Sequence, residues 1–186
     1  MKDLTKGRPS VLILTFALPI FLANLLQLTY SLADTRIVGT FLGDNALAAV
    51  GATTTLSNLI VQFLMGMCNG FAIISAQCFG AKDMDRLRRS LGNSLVLGLL
   101  AAVVLTLGGL VFLQPILRFL NVPENLLNTA TQYVSVIIAG LVITLLYDVL
   151  SATLRAIGDT VTPLIVLAVS VVLNIGGDLL LIVVLH

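Results

Sequence analysis

Charges divide this chain into long apolar runs. None falls within residues 9–33, 45–81, 90–117, 125–147 or 160–177. About 20 apolar residues cross a bilayer as an α-helix, at roughly 1.5 Å of rise each. The run over 45–81 is too short for two spans and a turn, so it predicts one long, tilted helix whose ends lie in the interfaces. The pattern therefore predicts an all-α integral membrane protein with five transmembrane helices, at about 10–38, 46–78, 87–113, 125–154 and 162–185.

Composition agrees. Of the 186 residues, 58% are hydrophobic and 10% charged, and mean hydropathy is +1.09. A soluble domain carries about a quarter charged residues, so lipid is the natural solvent here. Orientation follows from the basic residues. With the N terminus in the cytoplasm, Lys2, Lys6, Arg8, Lys82, Arg86, Arg88, Arg89 and Arg155 lie inside, against Arg36 and Arg118 outside. That bias fits the positive-inside rule. The first apolar run is too long for a signal peptide and is read as a retained span.

Net charge is +1, with no long basic tract, so nothing points to nucleic acid. No nucleophile–base set or phosphate loop appears, and an enzyme is not expected. Cys68 and Cys78 stand ten residues apart without a partner cluster and read as small buried hydrophobes. The connections are too short to house a domain. Asp83 is placed to cap the third helix, Pro123 to open the fourth with Glu124 in its first turn, and Gly158 to close it before Asp159 and Thr160. Gly39/Gly43 and Gly66/Gly70 have the G-x-x-x-G spacing of close helix packing, a weak signal among 15 glycines. Pro19, inside the first helix, predicts a bend or hinge.

Function must then lie in or between helices. Asn24, Gln27, Ser31 and Asp34 share one face of the first helix, Thr55, Asn58, Gln62 and Asn69 one face of the second, and Ser170, Asn174 and Asp178 one face of the fifth. These stripes predict that the three helices turn toward a shared polar interior, although such groups also serve simply to bond neighbouring helices. An intramembrane carboxylate costs about 2.5–3.5 kcal/mol on insertion scales, so each is a functional-site candidate. Asp34 lies near the outer end of its helix, and Asp178 is roughly 24 Å above the inner surface by helical rise. Those two meet at one depth, with Asn174 one turn below Asp178. Two carboxylates and an amide oxygen suit a proton or Na⁺. Asp148, near Arg155 and the inner interface, is expected to be structural.

Several stretches then carry a resemblance. FALPIFLANLLQLTYSLADTRIVGTFLGDNALAAVG, AQCFGAKDMDRLRRS, LRAIGDTVTPL and LNIGGDLLLI occur in order along the chain. They resemble the N-terminal half of multidrug and toxic compound extrusion (MATE) transporters. The resemblance implies two six-helix lobes with a substrate cavity between them. It also implies antiport of organic, often cationic, compounds against H⁺ or Na⁺ in a bacterial cytoplasmic membrane, with no cofactor beyond the coupling ion. It assigns Asp34, Asn174 and Asp178 to the cation site (metal ligands if the ion is Na⁺) and Pro19 to a hinge linked to cation binding. Asn24, Gln27, Ser31, Asn58 and Gln62 are the candidate substrate-facing residues. Leu179 stands where the family often has Pro.

Five helices are one short of a lobe. The chain is expected to be an N-lobe lacking its sixth helix and second lobe, which a longer chain or a partner chain would supply. A flippase for lipid-linked sugars is a weaker reading, because no basic residue lies deep in the membrane region. A non-transporting membrane subunit is a third.

Overall fold

A computed structural model of the protein describes residues 9–180. Lys2, Lys6 and Arg8, and the expected continuation of the last helix to 185, lie outside the described residues. The helices are α1 (Pro9–Ile37), α2 (Gly43–Gly80), α3 (Met84–Phe119), α4 (Glu124–Ala139), α5 (Leu141–Ala156) and α6 (Val161–Leu179). Four segments are long and apolar enough to cross a membrane, and α4 with α5 makes a fifth, bent by 44°. The protein is an all-helical, multi-pass membrane protein.

Three features depart from the expected boundaries. The gap expected between the first two helices is filled by a five-residue π-helical turn, Val38–Leu42, and α2 starts directly at Gly43, whose φ of +81° suits glycine. α3 runs on past Pro115 to Phe119. The fourth expected helix is two, with Gly140 between them.

The chain divides into two compact units. The first holds α1, the π turn and α6. On α1 the half-buried positions Phe16, Ile20, Ala23, Leu26, Tyr30, Asp34 and Ile37 recur at steps of three and four, and on α6 so do Leu164, Ala168, Val171, Ile175 and Asp178. Each set is a helical stripe, and the two helices pack together. α6 begins on a side-chain cap. The Asp159 carboxylate accepts from the Thr162 hydroxyl at 2.6 Å and from the amides of Thr162 and Val161 at 3.0 and 3.1 Å. These bonds, the Thr162 hydroxyl first, hold the Asp159 carboxyl below its ordinary 3.8.

The second unit holds α2 through α5 and a continuous apolar core. α3 packs on both α4 and α5, and two of its glycines allow the approach. A methyl group at Gly98 would lie 3.1 Å from Leu145, and one at Gly109 would lie 3.1 Å from Ile138. The Thr106 hydroxyl donates to the Ile138 carbonyl at 3.1 Å, beside the bend at Gly140. The bend is thus supported by a neighbouring helix, as broken backbone in a membrane requires. Gly43, Gly66 and Gly70 have open space at the same test, so the Gly66/Gly70 spacing meets no neighbour among the described residues. That spacing registers small residues on a face without saying whether a neighbour occupies it.

Helix ends follow local rules. Asp83 caps α3 by accepting from the Arg86 amide at 2.9 Å. α2 and α3 each end on a left-handed residue, Lys82 (φ 59°) and Asn121 (φ 56°). The amides of Asp83 and Val122 return to the carbonyls of Cys78 and Leu117 five residues back, closing Schellman motifs. Pro123 stands one position earlier than expected, as the residue preceding α4.

Candidate cation site

Hydroxyls and carboxylates meet the membrane differently. Thr15, Thr29, Thr35, Thr54 and Ser170 each donate to a carbonyl four residues back in their own helix. Such groups need no further partner in lipid. Ser170, although on the polar stripe of α6, is therefore satisfied locally. Asp34 and Asp178 have no comparable resource, because a carboxylate cannot donate to its own helix.

Both lie at the same end of the first unit, Asp34 three residues before the end of α1 and Asp178 one before the end of α6. Both are half-buried and on the stripes by which the two helices pack. They are close enough to act on one another electrostatically. The Oδ2 atom of Asp178 is buried, with no hydrogen-bond partner among the described residues. An unpaired buried polar atom is costly, and a second carboxylate beside it adds repulsion. A bound cation would remove both costs.

The remaining candidates are placed differently. Asn174, one turn below Asp178, is exposed beside the helix contact. Asn24, Gln27 and Ser31 are exposed on α1, and Asn58 and Gln62 on α2. On α2 the polar stripe is not the face that packs, which is formed by Ala49, Thr53, Ser57, Leu64, Cys68, Ser75 and Cys78. Pro19 is half-buried within a helix that continues on both sides of it, and its missing amide leaves the Thr15 carbonyl without the usual bond. Among the described residues no group of three or more His, Cys, Asp or Glu could hold a metal. Any Na⁺ would therefore need oxygen ligands beyond the two carboxylates.

Two features escape a reading of the sequence. An open groove of about 480 Å³ runs along α1, lined by Leu12, Ile13, Phe16, Ala17, Ile20 and Phe21 and ending at Asn24. Its apolar residues look like lipid-facing ones until the helix has neighbours. Tyr30 stands four residues before Asp34 on the same stripe, a spacing that could have drawn attention to it.

These observations define a multi-pass helical membrane protein with two carboxylates at the same end of its first and last described spans. Comparison with known proteins narrows this. The MatE family profile matches residues 19–180. Over 173 residues the chain is 35% identical to the probable multidrug resistance protein YoeA of Bacillus subtilis, covering 92% of this chain and 37% of that protein. It is 30% identical over 172 residues to YpnP of the same organism, also a probable multidrug resistance protein, covering 92% and 39%. Among solved structures, a crystal structure of a MATE mutant superposes with a TM-score of 0.89 at 26% identity, over 98% of this chain and 41% of that one. The chain belongs to the MATE family of multidrug efflux transporters. It spans a little over a third of the length of the relatives it matches.

Proposed function

We propose that this chain is the cation-binding part of a MATE-type antiporter that exports organic, cationic compounds across a bacterial cytoplasmic membrane, with its N terminus in the cytoplasm. The observation that carries the proposal is the juxtaposition of Asp34 and Asp178, with Asp178 Oδ2 buried and unpartnered. The coupling ion, H⁺ or Na⁺, enters from outside and is held between the two carboxylates, with Asn174 turning in as a neutral oxygen ligand. Its binding relieves the repulsion and lets α1 and α6 pack more closely at that end. Pro19, where the backbone ladder is already interrupted, is the point at which α1 yields.

The groove along α1 offers an organic molecule an apolar wall with one amide at its end, the usual make-up of a small-molecule site. Asn24, Gln27 and Ser31 on α1, and Asn58 and Gln62 on α2, are not consumed by helix packing and remain available to substrate. The rest of the transporter, as long again and half as much more in the relatives, supplies the other wall of the cavity. The positive-inside bias of the basic residues supports the orientation.

The test uses the full-length protein in vesicles, with Na⁺ and the pH gradient varied separately. Asp34→Asn and Asp178→Asn should each abolish ion-driven efflux while leaving the protein in the membrane. Unchanged efflux and unchanged ion dependence in either variant would sink the assignment.

A further inference from the structure

Asp148 is a buried acid of the second unit, and no described residue bonds it. It is 9% exposed, among Leu145, Val149 and Ala152 of the core. It forms no hydrogen bond or ion pair with any described residue. A structural carboxylate is held by donors, so the expected structural role of Asp148 needs donors that the described residues do not supply.

Its electrostatic surroundings are sparse. Arg155 acts on it from two turns further along α5 without forming an ion pair, and Cys68 faces it from α2. α3 meets this part of α5 with Gly98, against Leu145 one turn before Asp148. The buried face of α4 is Leu126, Leu127, Ala130, Val134 and Ile138, none of which titrates, while its Tyr133 is half-buried against the same core. A charge held here without a hydrogen bond or ion pair among the described residues would be costly, with only the more distant Arg155 to offset it. An asparagine would fill the same volume without carrying a charge.

We propose that Asp148 is a second proton-binding group, carried by the α2–α5 unit and separate from the Asp34–Asp178 pair. The ligand is a proton rather than a metal ion. A proton needs one carboxylate lone pair, whereas a hard metal cation needs several oxygens, and no cluster of ligating side chains surrounds Asp148 among the described residues. Protonation neutralises the side chain and lets it remain in the core. Release leaves a carboxylate attracted toward Arg155, along the helix toward the expected cytoplasmic side. The first unit has no part in this, so the proposal stands whether or not the Asp34–Asp178 pair binds the coupling ion.

Infrared difference spectra of the purified full-length protein, taken between alkaline and acidic buffer, read the carboxylic acid C=O stretch directly. Asp148→Asn should lose one component of that signal. Asp148→Glu should shift the component rather than remove it, which keeps the test decisive if the Asn variant folds poorly. A double variant, Asp34→Asn with Asp178→Asn, should retain the Asp148 component, whatever happens to its efflux. An unaltered carboxylic acid signal in Asp148→Asn, or an unshifted one in Asp148→Glu, would overturn the proposal. So would disappearance of the entire signal in the double variant.

Discussion

The two units use opposite means to hold helices together in lipid. In α2–α5 the contact is steric: Gly98 and Gly109 admit Leu145 and Ile138 at close range, and a side-chain hydrogen bond between helices, from Thr106, sits beside the bend. In α1 and α6 the contact stripes carry two acids at one end, close enough to act on one another. The first arrangement is built to stay closed; the second, on the function proposed above, responds to a cation. On that proposal stability and switching fall on separate helices of one chain, and substitutions should separate them too.

The largest expected effect tests that separation. Asp34→Asn should reduce ion-driven efflux of the full-length protein by roughly tenfold or more, about 1.4 kcal/mol of lost coupling, while thermal unfolding in detergent stays near the wild-type midpoint. Loss of fold with loss of transport would erase the distinction. Gly109→Val should do the reverse. Overpacking against Ile138 costs about 1–3 kcal/mol, visible as a lower unfolding midpoint. A Cβ at Gly66 or Gly70 meets none of the described residues, so a comparable loss from Gly66→Val or Gly70→Val in the full-length protein would point to a contact outside them.

Two smaller effects sharpen the picture. Asp159→Ala should cost about 1 kcal/mol through the lost cap. Because the folded carboxyl titrates below 3.8, the wild-type cap is fully present above that pH and fades as pH falls through the lower folded value. The stability difference between wild type and Asp159→Ala should therefore vanish in acid. Thr106→Val should cost about 0.6 kcal/mol, the average for interhelical hydrogen bonds in a membrane. Glu124→Gln should be nearly silent in the same assay, since its 3.8 Å contact with Arg118 is exposed and such pairs contribute about 0–1 kcal/mol.

How much of this was legible follows from the range of each interaction. Spans, caps and the common depth of Asp34 and Asp178 depend on residues near in sequence and on a fixed rise per residue, so charge spacing and helical periodicity reach them. The bend at Gly140 does not show itself locally. The flanking residues form one apolar run, and the break is supported by Thr106, 32 residues away. The G-x-x-x-G spacing pointed to Gly66 and Gly70, whereas the close contacts fall at Gly98 and Gly109, three turns apart on one face and visible only with α4 and α5 in place. Asp148 stands near Arg155 in sequence, but residues seven apart are two turns apart, and among the described residues no ion pair joins them.

Lys82 shows what it costs a membrane protein to know which way up it is. It occupies the left-handed position that closes α2, a place glycine fills freely and that costs other L-residues about 1–2 kcal/mol. Lys82→Gly should raise the unfolding midpoint, yet on the proposed orientation it removes a cytoplasmic charge at the turn where α2 hands over to α3. A topology reporter fused after α3 should then show a larger inverted fraction. Insertion happens once, as the chain enters the bilayer. On the proposed orientation, the backbone strain at this cytoplasmic turn stays with the folded protein for the rest of its life.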